Sequence, residues 1–77
     1  MINNTKAIMA IDKAPISKVR MTYDEAVMYC LFLMYDGRTD WRLPTANEID
    51  GHAMFVWIQD DDTNRSLKWH VQPVRTR

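Results

Sequence analysis

The stretch AVMYCLFLMY, residues 26–35, contains no charged side chain in a chain of 77 residues of which 26% are charged. It is about half the length that crosses a bilayer and the length of an ordinary globular helix. A helix apolar on every side must be covered on every side. Residues 1–77 make one small domain, whose core supplies only a few kcal/mol of net stability. The run therefore divides the fold into two questions: which stripe faces the domain's own sheet, and what covers the other.

Both ends of the run are marked. Thr22 is followed three residues later by Glu25, a capping box in which hydroxyl and carboxylate satisfy two free backbone N–H groups. Asp24 and Glu25 also favour the positive end of a helix. Gly37 suits the left-handed residue that closes one. The expected helix covers residues 23–35. At 100° per residue, Ala26, Tyr29, Cys30 and Leu33 share one stripe, with Val27 and Met34 at its margin, while Met28, Leu31, Phe32 and Tyr35 lie opposite.

Around this helix the chain reads as α+β. KAIMAID, residues 6–12, is short and apolar, as a strand is. KAPISK is a loop around Pro15, and KVRM leads into the helix as a second extended piece. In TDWRLPT, Trp41 and Leu43 are inward-facing anchors. Thr45 and Glu48 form a second capping box, for a short helix over residues 46–53. MFVWIQ, residues 54–59, is apolar on both faces and rich in aromatic and β-branched residues, so a central or covered strand is expected. After the turn-forming DDDTNR, the segment SLKWHVQPV places Leu67, Trp69 and Val71 on one face and Lys68, His70 and Gln72 on the other. The two strands are expected to form an antiparallel hairpin, with Pro73, which lacks an N–H, at an edge.

Composition narrows the function. A hydrophobic fraction of 47% fits a folded domain. Ten basic and ten acidic residues cancel, leaving no electrostatic footprint for nucleic acid or anionic membrane. The one cysteine, Cys30, cannot form an internal disulfide, and no His/Cys cluster points to zinc. The N-terminus MINNTKAIMAIDK lacks the features of a signal peptide, so a cytoplasmic location is expected.

The segment TYDEAVMYCLFLMYDGRTDWRLPTANEI resembles the signature of the Lcl C-terminal-like domain family, a group of uncharacterised bacterial and phage domains. The resemblance is carried by Ala26, Tyr29, Cys30, Leu33, Gly37, Asp40, Trp41, Arg42, Leu43, Pro44, Thr45, Glu48 and Ile49, with Pro73, Val74 and Arg75 matching the closing strand. A shorter version of the pattern occurs in formylglycine-generating, or sulfatase-modifying, enzymes. The resemblance implies a compact, truncated C-type lectin-like fold: one main helix and a short helix on a small antiparallel sheet, with paired terminal strands and a C-terminal hairpin. Family members usually carry a longer insertion before the last strands, where such folds commonly hold ligand contacts. Here only MFVWIQDDDTNRSLKW fills that space.

No catalytic constellation stands out, and the chain is expected to be non-enzymatic, without cofactor or metal. Arg42 reads as a clamp on Asp40 or Glu48, since a planar guanidinium suits that task. Trp41, Arg42, Leu43, Pro44, Thr45 and Glu48 are accordingly structural motif residues. Cys30 lacks the activated surroundings of a reactive thiol, and His52 and His70, the two possible bases, have no motif around them. Trp41, Trp57 and Trp69 read as core.

The expected function is protein–protein contact by a phage-encoded module in the host cytoplasm. Met28, Leu31, Phe32 and Tyr35 are the expected partner interface, against a second copy or a host protein. Alternatively the N-terminal segment or the KAPISK loop covers this stripe. Two other functions remain open: a virion or surface component binding a receptor or glycan, and a reduced relative of the formylglycine-generating enzymes.

Asp60, Asp62 and Asn64 have the spacing that begins a calcium loop, but Arg65 stands where that loop needs Gly and Val71 where it needs a bidentate Glu. We expect millimolar calcium to leave the melting temperature unchanged. A rise reversed by chelator would reveal a site, because a ligand of the folded state must stabilise it.

Overall fold

The computed structural model describes residues 11–49, 56–61 and 64–77. It is a small α+β arrangement. Strand β1 (Ile11–Lys13), helix α1 (Tyr23–Phe32), a 3-10 turn (Ala46–Glu48) and strand β2 (Val74–Thr76) follow one another along the chain. β1 and β2 pair antiparallel, Ile11 opposite Thr76 and Lys13 opposite Val74. Of the expected first strand, residues 6–10 lie outside the described residues; Ile11 and Asp12 begin β1.

The C-terminal segment is the axis of the fold. On one side, Met21 and Trp69 exchange both backbone hydrogen bonds (2.8 and 3.0 Å), and the Ser17 and Ala14 N–H groups donate to the Val71 and Pro73 carbonyls (2.9 and 3.1 Å). On the other, Arg42 and Val74 exchange both bonds (2.8 and 2.9 Å), and the Trp57 N–H donates to the His70 carbonyl at 3.1 Å. Two expectations are thereby corrected. Val56 meets His70 in a single parallel bridge, so residues 56–59 and the last strand are not an antiparallel hairpin. Met54 and Phe55 lie outside the described residues. Pro73 is buried between neighbours on both sides, not at an edge.

A proline fits there because side chains replace the missing ladder bonds. Pro73 has no N–H to give to Ala14, and the Gln72 side-chain amide donates to the Ala14 carbonyl instead, at 2.6 Å. The Val71 N–H donates to the Ser17 hydroxyl (2.9 Å). His70 Nδ1 lies 2.9 Å from the Ser17 carbonyl; a carbonyl can only accept, so Nδ1 carries a proton.

Helix α1 begins as its capping box requires. The Thr22 N–H donates to Glu25 Oε1 at 2.9 Å, and the Glu25 N–H reaches the Thr22 hydroxyl at 3.4 Å. It ends three residues earlier than the pattern predicts. Asp36 and Gly37 both take positive φ (55° and 71°), and Tyr35 and Arg38 exchange backbone bonds across them at 3.1 and 3.0 Å. Asp-Gly with both residues left-handed is a hairpin turn of the primed kind. It needs extended backbone on each side, so Leu33 already leaves the helix at ψ 127°. Met34, placed at the margin of the inner stripe by helical geometry, is 72% exposed.

The core lies between α1 and the C-terminal axis. Ala26, Cys30, Trp41, Leu43, Trp57 and Val71 are buried in one cluster, with Val27, Tyr29, Leu33 and Trp69 partly buried against it. Trp57 is fully buried, and its indole N–H donates to the Met21 carbonyl at 2.7 Å. Its ring meets Tyr23 and Trp69 edge to face, centroids 5.4 and 6.4 Å apart. Trp41 is also buried, its N–H on the Arg38 carbonyl at 3.0 Å. Trp69 is core only in part.

Because Ala14 is buried, removing the Gln72 amide leaves its carbonyl without that donor. Gln72→Ala should cost about 1–3 kcal/mol, the penalty of an unsatisfied buried polar group. Urea denaturation of the two proteins measures it; an unchanged midpoint would show that the amide carries no such burden.

Candidate functional site

Two places carry the residues singled out in the sequence: the DWRLPT segment with Glu48, and the outer side of α1.

The first is a structural clamp. Arg42 donates from both terminal nitrogens to the two Glu48 oxygens, each at 2.9 Å. The same guanidinium reaches the Leu43 carbonyl (3.2 Å) and the Thr76 hydroxyl (2.8 Å). Of the two partners expected for Arg42, the structure selects Glu48. Asp40 instead takes two bonds from Arg75, at 2.6 and 3.1 Å. Arg75 also reaches Asp12 (2.8 Å), which Arg77 contacts at 2.7 Å. The carboxyls of Asp12 and Asp40 are both held below their ordinary range, Asp12 by Arg77 and Arg75 and Asp40 by Arg75.

Glu48 serves a second purpose. Its Oε1 also accepts the Thr45 N–H at 2.9 Å, the carboxylate half of the expected capping box, while the Glu48 N–H goes to the Thr45 carbonyl at 3.0 Å. The element that follows is a single 3-10 turn, Ala46–Glu48, closed by the Ile49 N–H on the Ala46 carbonyl. Residues 50–53 of the longer helix expected here lie outside the described residues. Pro44 is buried, and its carbonyl accepts the Gln59 N–H at 2.9 Å. The Gln59 side chain donates to Leu43 (3.0 Å), and the Tyr23 hydroxyl donates to the Gln59 carbonyl (2.6 Å). The polar groups of this segment are thus engaged with the protein itself.

The candidate catalytic residues are similarly occupied. Cys30 is buried, and burial pushes its thiol up to about 11, the opposite of an activated nucleophile. It borders a small apolar pocket with Tyr23, Val27, Leu31, Trp41, Arg42, Leu43 and Gln59. His70 is bonded to Ser17 as described, and His52 lies outside the described residues. The Asn64 side-chain oxygen accepts from the Ser66 N–H and hydroxyl (2.9 and 2.7 Å), a local turn; Asp62 lies outside the described residues. Among the described residues no three of His, Cys, Asp and Glu stand close enough to hold a metal ion.

The outer side of α1 differs in kind. Ala26 and Cys30 are buried on the inner stripe, whereas Met28, Leu31 and Phe32 are 49%, 61% and 78% exposed. Tyr35, 43% exposed, is no longer helical; its ring stands edge to face against Trp41 at 5.9 Å. Two shallow grooves adjoin here. Met21, Glu25, Met28, Tyr29, Phe32 and Leu33 line one. The other runs between Tyr29, Leu33, Tyr35 and the loop of residues 14–19. The loop does not cover the helix: Ile16 and Val19 are themselves exposed and extend the apolar surface. Sequence reasoning missed these two residues, because a loop has no periodicity to show where its side chains go.

The chain matches no protein-family model, no curated protein and no solved structure. The resemblance drawn from the sequence rests on its motif residues alone.

The Arg42–Glu48 pair predicts an acid limb. Arg42, then the Thr45 N–H, hold the Glu48 carboxyl down to about 2 from its ordinary 4.5, against the opposing effect of burial. A depressed folded-state value means that the unfolded chain protonates first. The contribution is therefore complete above pH 4.5 and is lost as the pH falls through about 2. With the Glu48 side chain 9% exposed, screening is weak, and the contribution is on the order of 2–3 kcal/mol. Glu48→Gln should remove this amount at neutral pH and flatten the acid limb; urea midpoints measured across that range check both.

Proposed function

We propose that this chain is a non-enzymatic interaction module, phage-encoded and acting in the host cytoplasm, that works by protein–protein contact through the outer side of α1. The observation that carries the reading is the exposure of Met28, Leu31 and Phe32 on a helix whose opposite stripe is core. Small monomers seldom leave apolar surface of this extent uncovered, and where they do it marks a contact site. The neighbouring Ile16 and Val19 widen the surface. The bonded state of Arg42, Glu48 and His70 and the raised thiol of Cys30 support structural roles for them.

In the same reading the domain is a reduced C-type lectin-like fold. Support comes from the antiparallel pairing of the terminal strands and from the helix packed beside them. No helix among the described residues is long and apolar enough to cross a membrane.

Leu31→Glu combined with Phe32→Lys alters two exposed side chains and should leave the melting temperature close to wild type. Immobilised wild-type and doubly substituted chains would each be offered a second copy and a bacterial lysate. The reading expects capture of one or the other by wild type and its loss in the variant. Equal capture by both chains, or none by either, would overturn it.

A further inference from the structure

The partner can be narrowed from the surface itself. Between Glu25 and Asp36 the chain carries no charge, so this face does not repel its own image. Its two ends differ in sign. Asp24 and Glu25 stand at the N-terminal end of α1, and Glu25 lines the groove with Met28 and Phe32. Lys68 lies near Glu25 and offsets part of that charge. At the other end, Lys18 lines the groove formed with Tyr29, Leu33 and Tyr35, and the hairpin turn carries Asp36 within it and Arg38 beside it. Glu25 and Lys18 thus lie on the same flank of the helix, at opposite ends.

We propose that α1 pairs antiparallel with α1 of a second copy across a two-fold axis, Met28 and Phe32 at its centre and Glu25 facing Lys18 of the other copy. This rests on the contact reading above. A two-fold axis perpendicular to two face-to-face antiparallel helices keeps the flanks and exchanges the ends. Each acidic end therefore meets a basic one, twice, by symmetry. A parallel pair would set Asp24 and Glu25 beside their own copies, a like-charge arrangement that costs affinity. Area agrees as well. Ile16, Val19, Met28, Leu31, Phe32 and Tyr35 are 43% to 78% exposed. They present on the order of 700 Å², within one partner's share of a standard interface.

Sedimentation equilibrium on the full chain, with zero-length carbodiimide crosslinking and peptide mapping, tests this. The expected result is a dimer whose crosslinked band contains a Glu25–Lys18 peptide. Phe32→Lys should raise its dissociation constant on the order of thirtyfold, as loss of a central aromatic anchor does. Lys18→Glu, which alters an exposed side chain, should weaken it while the melting curve stays unchanged. A wild type that is monomeric at high micromolar concentration overturns the pairing. If it still captures a host protein that Phe32→Lys cannot capture, the contact reading stands without self-association. If it captures nothing, the face is covered within one chain and both fail. A dimer indifferent to Phe32→Lys, or crosslinked elsewhere, also overturns the proposal.

Discussion

Residues 69–76 are hydrogen-bonded along both sides, and the rest of the described structure is organised by that fact. Residues 11–21 bond to one edge of this segment and residues 42 and 57 to the other. Few of these contacts belong to regular strand; β1 and β2 are three residues each. A sheet this short has little cooperativity of its own, and side chains complete it. Gln72, His70 and Ser17 take up backbone groups that a continuous ladder would have satisfied, so the segment tolerates a proline at its middle.

The ion pairs follow the same geometry. Arg75 joins Asp12 on one neighbour to Asp40 on the other, and Arg42 holds Thr76 and Glu48. Individually, exposed pairs contribute little. Arg42–Glu48 differs because it is bidentate, because Glu48 is nearly enclosed, and because the same carboxylate caps the 3-10 turn. The segment of Asp40, Trp41, Arg42 and Leu43 therefore alternates in role: Trp41 and Leu43 point into the core, and Asp40 and Arg42 bind the C-terminal strand.

What could be read from the sequence was what local chemistry decides. Thr22 with Glu25, and Glu48 with the Thr45 backbone, are interactions over three residues, and the alternation around Trp41 and Leu43 is equally local. One local signal is ambiguous. Gly37 closes a helix in many proteins, but Asp36 before it makes the pair a hairpin turn, and the turn shortened α1. What depends on register was not readable. The choice of Glu48 over Asp40 by Arg42, the central place of Pro73, and the parallel approach of Val56 to His70 all follow from which segments become neighbours across the chain, from the 14 residues between Val56 and His70 to the 63 between Asp12 and Arg75. Nothing in Gln72 itself announced that its amide would stand in for a proline's missing N–H.

The exposed side of α1 follows from the same economy of size. The described residues form one helix beside one narrow sheet, and a helix in such an outer layer can bury only the stripe that faces inward. Ala26 and Cys30 are small, which lets the helix approach the Trp41 and Trp57 side chains closely. Nothing in that packing demands Met28, Leu31 or Phe32, since glutamate, lysine or glutamine there would favour the helix at least as well and keep the surface soluble. A ten-residue helix is marginal in isolation, so its folding rests on the inner stripe and on the Thr22–Glu25 box. Met28, Leu31 and Phe32 keep about half or more of their surface in solvent, and on the proposed reading that surface serves contact with a partner rather than the fold of the single chain.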